Sequence, residues 1–163
     1  MKTILLSSAV AMTLAVASVA GAQAPTQSAW MSTPVKEMLE KARAATVQVP
    51  LAEFKAAFDS KGDFVIIDVR NPDEFSAAHV PGAVNVSRGV LEFNIWSAVP
   101  DKNKKIYVYC RTGGRAALAT KVLNDLGYKN AVSVKEGMKD WAKAGYPVKT
   151  SITDDEIIIA PAK

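Results

Sequence analysis

The sequence is short of the residues that disulfides and metal sites require. Among 163 residues there is one cysteine, Cys110, and one histidine, His79. A single cysteine excludes an intramolecular disulfide, a paired-cysteine redox motif and a cysteine-rich zinc site, and a single histidine excludes a histidine-rich metal centre. Any chemistry at sulfur therefore depends on Cys110 alone.

Neither sign of charge is in large excess. The chain has 20 Lys and Arg residues against 16 Asp and Glu residues, a formal net charge of +4. This balance lacks the dense basic stripe of a nucleic-acid-binding protein and suits small anionic partners better. Because 49% of the residues are apolar and 22% are charged, the chain can bury a core, and its length suits one ordinary domain.

An apolar run stands near the N-terminus. It covers residues 4–20, follows Lys2, and is succeeded by Ala22 and Ala24 in Ala-x-Ala form before Pro25. This pattern predicts a secretory signal peptide over residues 1–24, and hence a periplasmic or secreted protein with no membrane attachment after cleavage. The run is short, contains Ser and Thr, and lacks a basic stop-transfer flank, which disfavours an uncleaved anchor. Since oxidising compartments normally pair cysteines, a lone exported thiol is a candidate reactive group.

Helical spacing of apolar residues marks the segments at the start of the expected domain. We expect an N-terminal arm and helix over residues 25–46, with the helix running from Pro34 to Ala45. A second helix, LAEFKAAF, begins at Leu51 and is predicted to stop at Gly62. Residues 150–163 are predicted to form either an edge strand or a tail, which leaves residues 47–149 as the domain.

Two uninterrupted apolar runs indicate the type of sheet. FVIIDV, from Phe64, and IYVY, from Ile106, are typical of strands that are buried on both faces of a parallel sheet. Helical segments separate these and the other predicted strands. The alternation predicts an α/β fold in which helices flank a central, mainly parallel sheet on both faces.

Cys110 occupies the position where such folds bind ligands, because it directly follows a buried strand and precedes a helix. Gly113 and Gly114 allow successive backbone N–H groups to converge on one concavity, to which the helix adds its positive end. Arg111 and Arg115 add charge that favours the thiolate of Cys110 and can hold an oxyanion. A sulfur facing inward among aliphatic side chains would instead indicate a structural cysteine and would remove the enzymatic interpretation.

Three segments resemble the rhodanese sulfurtransferases. CRTGGR, residues 110–115, is similar to their active-site loop. IIDVRNPDEFSAAHVPGAVNV, residues 66–86, and GYKNAVSVKEGMKDWAKAGYPV, residues 127–148, resemble the segments that precede and follow this loop in the family. The resemblance implies a rhodanese-like domain and a sulfurtransferase that needs no metal and no organic cofactor.

The resemblance also implies a mechanism and a set of site residues. Cys110 takes a sulfane sulfur from a small anionic donor such as thiosulfate, becomes a persulfide, and passes the outer sulfur to cyanide or a thiol. Asp68 and Arg70 support the loop, and the family histidine, here His79, is structural. The residues implied in donor binding are those of the loop: Arg111, Thr112, Gly113, Gly114 and Arg115.

Two other functions fit parts of the sequence. Protein tyrosine phosphatases also place a cysteine in an anion cradle, but they have one residue more between Cys and Arg than the four found here, and Ala116 stands where their arginine would fall. A rhodanese-like module that carries sulfur or binds a partner without turnover would look nearly the same as an enzyme.

Glu136 departs from the resemblance. The family commonly has paired glycines where this chain has Glu136 and Gly137. We expect the change to alter a turn beside the active face and to affect access of the acceptor more than the fold. In the preceding family segment, we expect Arg70 and Glu74 to form an ion pair.

Overall fold

The computed structural model describes residues 33–151 and 156–158 of the chain. The predicted signal peptide over residues 1–24 lies outside the described residues. Among the residues that are described, no helix is long and apolar enough to cross a membrane. The helices are α1 (Thr33–Ala44), α2 (Leu51–Ser60), α3 (Pro72–Ala77), α4 (Leu91–Ala98), α5 (Gly114–Asp125) and α6 (Met138–Lys143). The strands are β1 (Gln48–Val49), β2 (Phe64–Asp68), β3 (Val84–Asn85), β4 (Lys105–Tyr109), β5 (Ala131–Val134), β6 (Pro147–Lys149) and β7 (Glu156–Ile158).

Five strands form one sheet in the order β1-β5-β4-β2-β3, and each of the four pairings is parallel. β4 therefore lies at the centre of the sheet. Its register with β2 runs from Phe64 beside Lys105 to Asp68 beside Tyr109, so the two strands end at the same edge. The α/β fold with a mainly parallel sheet, predicted from the apolar runs, is confirmed.

Two apolar cores lie on opposite faces of this sheet. Alternate residues of β4 separate, with Ile106 and Val108 in one core and Tyr107 and Tyr109 in the other. The first core also contains side chains of α4 and α5, and the second contains side chains of α2 and α6. Helices thus cover both faces, as predicted.

An aromatic cluster fixes α6 against α2 in the second core. The rings of Phe54 and Trp141 lie 5.2 Å apart, and those of Phe54 and Tyr107 lie 5.3 Å apart. The indole N–H of Trp141 donates to the carbonyl of Pro147 at 2.7 Å, which satisfies the polar atom of a buried side chain. The start of α6 is therefore held in a defined place beside the end of β4.

The structure differs from the sequence prediction at the end of α2. The helix was predicted to stop at Gly62, but the left-handed residue that ends it is Lys61, with φ 50°. The N–H of Lys61 donates to the carbonyl of Phe58 at 3.2 Å. This local hydrogen bond stabilises a left-handed turn that glycine adopts at lower cost.

The remaining elements lie at the periphery. α1 packs against α5, and the side chain of Leu39 lies over Gly114, the first residue of that helix. β6 and β7 pair antiparallel as a separate two-stranded sheet. The C-terminal region, for which an edge strand or a tail was predicted, therefore contributes a strand over Glu156–Ile158.

Candidate active site

Cys110 follows the last residue of β4, and the short loop after it leads into α5 at Gly114. The loop turns sharply at Gly113, whose φ is +82°. A Cβ atom on Gly113 would lie 1.9 Å from the carbonyl oxygen of Lys135. Both the dihedral angle and the close contact require glycine, so the loop passes against the end of β5 without room for a side chain at this position.

In the described part of the chain, the first two carbonyl groups of the loop have hydrogen-bond partners and its N–H groups do not. The carbonyl of Cys110 accepts a hydrogen bond from the N–H of Met138 at 2.8 Å, and the carbonyl of Arg111 accepts one from Lys139 at 3.2 Å. In contrast, none of the backbone N–H groups from Arg111 to Ala116 has an acceptor among the described residues. Six consecutive N–H groups at the start of a helix are therefore available to an anion.

Gly137 allows α6 to reach the loop. A Cβ atom at this position would lie 2.2 Å from the carbonyl oxygen of Cys110 and 2.6 Å from the carbonyl oxygen of Arg111. The neighbouring Glu136 points away, and its carboxylate accepts a hydrogen bond from the N–H of Leu51 at 2.8 Å. The glycine that the tight approach requires is thus retained, and the glutamate stabilises the start of α2.

The cysteine side chain is less open than the sequence analysis expects. Cys110 is 1% exposed and belongs to the same core as Ile106 and Val108. This burial could be expected from the sequence, because alternate residues along a strand lie on the same face. Residues 106, 108 and 110 therefore share one face of the sheet. The N–H loop is present, but the thiol is buried beside apolar side chains, which is the arrangement that the sequence analysis takes to indicate a structural cysteine.

A bidentate ion pair joins the loop to α3. The two terminal nitrogens of Arg115 donate to the two carboxylate oxygens of Glu74 at 2.7 Å and 2.9 Å. This hydrogen bonding lowers the pKa of Glu74 from 4.5 to about 2. The same hydrogen bonding raises the pKa of Arg115. The charges of Glu74, Cys110 and Asp68 also act to raise this pKa. The guanidinium that was predicted to bind the donor is therefore engaged by a carboxylate.

Arg70 forms a different ion pair from the one predicted. Its Nε and one terminal nitrogen donate to the fully buried carboxylate of Asp68 at 2.6 to 3.0 Å, and the same terminal nitrogen donates to the carbonyl of Ala78 at 2.6 Å. Burial is the largest single effect and works to lower the pKa of Arg70, but the hydrogen bonds to Asp68, the charge of Asp68 and the contribution of Tyr109 together raise that pKa. The expected pairing of Arg70 with Glu74 is wrong, because each residue has another partner.

Tyr109 packs against the ion pair of Asp68 and Arg70. The guanidinium carbon of Arg70 lies 5.8 Å from the centre of the Tyr109 ring, and the Tyr109 hydroxyl accepts a hydrogen bond from the N–H of Val80 at 3.1 Å. Burial raises the pKa of Tyr109, and the nearby charge of Asp68 adds to the increase. These contacts tie the ends of β2 and β4 to the segment after α3, so they fix the frame from which the loop extends.

A groove of about 310 Å³ opens beside the loop. Arg111 and Lys139 are exposed on it, and neither forms a salt bridge within the part of the chain that the structure describes. Thr112 is exposed on the same loop. Sequence reasoning missed Lys139, because its approach to the loop depends on the long-range contact at Gly137. The lining residues are Arg70, Glu74, Ala77, Ala78, Arg111, Met138, Lys139 and Ala142.

His79 is buried, and its ring is fixed by contacts with Phe75. It is 5% exposed, its ring stacks on Phe75 with the centroids 3.9 Å apart, and its Nδ1 lies 2.9 Å from the Phe75 carbonyl oxygen. Its backbone pairs with that of Lys149. Across residues 33–151 and 156–158, no group of three or more His, Cys, Asp or Glu residues could hold a metal ion.

The parallel sheet has a cysteine directly after its central strand, and the loop that follows has N–H groups without an acceptor among the described residues. This arrangement is suited to binding an anion. The profile of the rhodanese-like domain family matches residues 50–144, more than half of the chain. The chain therefore belongs to the rhodanese-like domain family. Its relatives include sulfurtransferases and a protein for which a sulfur-carrier role has been suggested.

Three similar proteins show the range of that family. Thiosulfate sulfurtransferase PspE of Escherichia coli is 40% identical over 76 residues, which cover 47% of this chain and 72% of PspE. YrkF of Bacillus subtilis, for which a sulfur-carrier role has been suggested, is 33% identical over 94 residues, which cover 58% of this chain and half of YrkF. A solved structure from Rhodopseudomonas palustris, of unknown function and a possible tyrosine phosphatase, is 31% identical with a TM-score of 0.64. That match covers 71% of this chain and 93% of the other.

Proposed function

We propose that the protein transfers a sulfane sulfur from a small anionic donor such as thiosulfate to a thiophilic acceptor such as cyanide or a thiol, through a persulfide on Cys110. The observation that carries the proposal is the run of six backbone N–H groups, from Arg111 to Ala116, without an acceptor among the described residues. Such a run immediately after a cysteine stabilises negative charge on sulfur without an adjacent base.

The first step exchanges one sulfur–sulfur bond for another. The thiolate of Cys110 attacks the outer sulfur of thiosulfate, the sulfur–sulfur bond of the donor breaks, and sulfite leaves with the electron pair. Cys110 then carries a persulfide anion, whose outer sulfur lies about 2 Å beyond the original one. Charge is conserved in this step, so the loop that stabilises the thiolate can also stabilise the product.

The two arginines of the loop differ in what they are free to do. Arg115 is bound at both terminal nitrogens by Glu74, so in this role it positions the loop. Arg111 is exposed on the groove and has no salt-bridge partner among the described residues, so it is the arginine that can bind the donor's oxyanion. Of the two arginines that were predicted to bind the donor, we therefore assign this role to Arg111 alone.

A sulfur carrier is the second candidate, and the burial of Cys110 favours it. A thiol that is 1% exposed reacts slowly with a donor in solution unless the loop opens. Once formed, a persulfide at this depth would be protected from other thiols until a partner reached the loop. The similarity to YrkF supports the same function.

A phosphatase is less well supported. Ala116 stands where the phosphate-binding arginine of the tyrosine phosphatases would fall, and Arg115 is held by Glu74. With one residue fewer in the loop, the ring of N–H groups is smaller and matches a sulfur atom better than a tetrahedral phosphate. We therefore assign the loop to sulfur.

Mass spectrometry of the purified chain tests the proposal. After incubation with thiosulfate, we expect Cys110 to gain the mass of one sulfur atom, and cyanide to remove it with formation of thiocyanate. The variant Cys110→Ala should lose both reactions and keep the circular dichroism spectrum of the parent. A persulfide that forms but resists cyanide, and is discharged only by a protein thiol, would support the carrier. A thiol that stays unmodified with thiosulfate, polysulfide and mercaptopyruvate would contradict both.

We also propose that the protein is exported. The N-terminal pattern before Pro25 supports cleavage after Ala24 and release into the periplasm or the medium. Fractionation of cells that express the full chain, with N-terminal sequencing of the product, tests this. Recovery of a chain that begins at Pro25 outside the cytoplasm is expected, and recovery of uncleaved chain from the cytoplasm would contradict it.

A further inference from the structure

A groove of about 480 Å³ lies between α1 and α5, and no residue of the loop over residues 110–115 lines it. We propose that this α1–α5 groove binds a fatty acid, with the acyl chain against apolar side chains of the two helices and the carboxylate at Lys41. The volume falls within the range of about 300–1,000 Å³ that is usual for small-molecule sites. This binding function is separate from sulfur transfer.

The apolar face of α1 is only half covered. Leu39 and Ala42 pack onto the domain: Leu39 lies over Gly114, and Ala42 is 1% exposed. Val35 and Met38 belong to the same helical face, yet they are 40% and 50% exposed. α1 therefore presents more apolar surface than α5 covers, and part of that surface lines the groove.

Two short rows of apolar side chains line the groove. Met38 and Ala42 form the row on α1, and Leu118 and Val122 form the row on α5. In each helix the two residues are four positions apart, so they lie on one face. Apart from charged side chains, no polar side chain lines the groove among the described residues. Such a lining gains from burying an unbranched hydrocarbon chain and offers no hydrogen-bond partners to a sugar or a peptide.

The charges that line the groove are mostly positive. Lys41, Arg88 and Lys121 contribute to the lining, against one acid, Glu37. Arg88 and Lys121 each form an ion pair with the carboxylate four positions later. Lys41 has no salt-bridge partner in the part of the chain that the structure describes, so its ammonium group is available to a ligand. The electrostatic complement of this lining is an anionic head group.

The dimensions favour an acyl chain over a partner helix. The row on α5 extends from Leu118 to Val122, which is about 6 Å at the rise of an α-helix. A helix that docks in a groove uses apolar anchors from i to i+7, a row of about 10 Å. A single chain that ends in a carboxylate matches both the short apolar rows and the charge at Lys41.

Isothermal titration calorimetry of the purified chain with decanoate, decanol and decylamine tests the proposal. The three ligands share one hydrocarbon chain and differ in the charge of the head group, and each is used below the concentration at which it self-associates. We expect decanoate to bind most tightly and decylamine most weakly. Lys41→Gln should weaken decanoate by about threefold, leave decanol unchanged and strengthen decylamine. Met38→Gln retains a good helix former and should weaken decanoate and decanol alike, by about fivefold.

Two matched variants on the same helix serve as controls. Lys36→Gln removes the same charge, and Val35→Gln replaces an apolar side chain, both at exposed positions of α1 outside the groove lining. Each should bind decanoate as the parent does. An equal effect of Lys36→Gln and Lys41→Gln would overturn the role of Lys41, because it would reflect net charge alone.

Other outcomes would overturn the groove itself. These are the absence of decanoate binding by the parent, or equal affinity for all three ligands. Weaker binding in Phe93→Gln without a change in Met38→Gln would assign the chain to the exposed aromatic side chain of α4 instead. Cys110→Ala should bind decanoate normally, and loss of binding in that variant would place the ligand at the cysteine loop. The proposed sulfur transfer is measured separately and stands or falls on its own.

Discussion

Glu74 holds both terminal nitrogens of Arg115 across 41 positions of sequence. The pair fixes the orientation of the first turn of α5, from which several of the free N–H groups project. We expect Glu74→Gln to slow formation of the Cys110 persulfide with thiosulfate by about fivefold, because the released guanidinium no longer holds that turn. Stopped-flow measurement of sulfite release gives the rate constant. Asp73→Asn removes a charge from the adjacent residue and should have little effect. Faster reaction in Glu74→Gln would show instead that Arg115 is a donor-binding residue restrained by Glu74.

The same ion pair predicts how stability depends on pH. The pKa of Glu74 is lowered from 4.5 to about 2 by its hydrogen bonds to Arg115, so the folded chain holds the charged form more strongly than the unfolded chain does. Its contribution to stability is therefore complete above pH 4.5 and is lost as the pH falls from 4.5 towards 2. Because the carboxylate is partly exposed, we expect a loss of less than about 1 kcal/mol. Urea unfolding across this range should show a shallower pH dependence in Glu74→Gln than in the parent, and parallel curves would contradict the prediction.

Gly137 is predicted to tolerate no side chain. A Cβ atom at this position would lie 2.2 Å from the Cys110 carbonyl oxygen, which is backbone and cannot move aside. We expect Gly137→Ala to lower the free energy of unfolding by about 3 kcal/mol or more and to abolish persulfide formation. Gly89→Ala is the matched control, because no heavy atom lies within 4 Å of its Cβ position, and it should change stability by less than about 0.5 kcal/mol. Urea unfolding measures both, and equal effects would contradict the prediction.

Glu136 is predicted to act on stability rather than on acceptor access. Its carboxylate accepts the N–H of Leu51 and lies at the positive end of α2. We expect Glu136→Ala to lower the free energy of unfolding by about 1 kcal/mol, with little change in the rate of sulfur transfer to cyanide. Thermal unfolding and thiocyanate formation measure the two effects. A large change in transfer with unchanged stability would restore the sequence-based expectation of an altered turn beside the site.

Thr120 offers a stabilising substitution. Its hydroxyl is buried and has no hydrogen-bond partner among the described residues. Replacing it with the nearly isosteric valine removes an unsatisfied polar atom, so we expect Thr120→Val to raise the free energy of unfolding by about 1 kcal/mol. Leu118→Val on the same helix shortens a half-buried apolar side chain and serves as the contrasting control, with a small loss expected. Lower stability in Thr120→Val would show that the hydroxyl has a partner such as water.

The fold could be predicted from the sequence because the patterns that indicate its strands and helices are local. Continuous apolar runs predict strands buried on both faces, and β2 and β4 are buried in that way. The start of α3 also follows a local pattern, because Asn71 precedes Pro72 and the Glu74 carboxylate lies 3.3 Å from the Asn71 N–H. The stop of α2 differed, because a lysine adopts the left-handed turn.

The ion pairs of the site could be predicted only in part, because the three-dimensional fold decides which charged groups meet. Arg70, Glu74 and Arg115 each have more than one possible partner in the sequence, and spacing alone favoured Arg70 with Glu74. The structure instead pairs Glu74 with Arg115, in the first turn of α5. The burial of Cys110 was within reach of the sequence through strand alternation, whereas the place of Lys139 depended on how closely α6 could approach the loop.

The hydrogen bonds from Met138 and Lys139 to the cysteine loop have a consequence for folding. They link the loop to a helix that follows it only after α5 and β5, so the loop is completed when α6 docks. Before that contact forms, the carbonyls of Cys110 and Arg111 have no partner to turn them. We therefore expect the loop to reach its final shape late in folding, with the docking of α6 rather than with the pairing of β4.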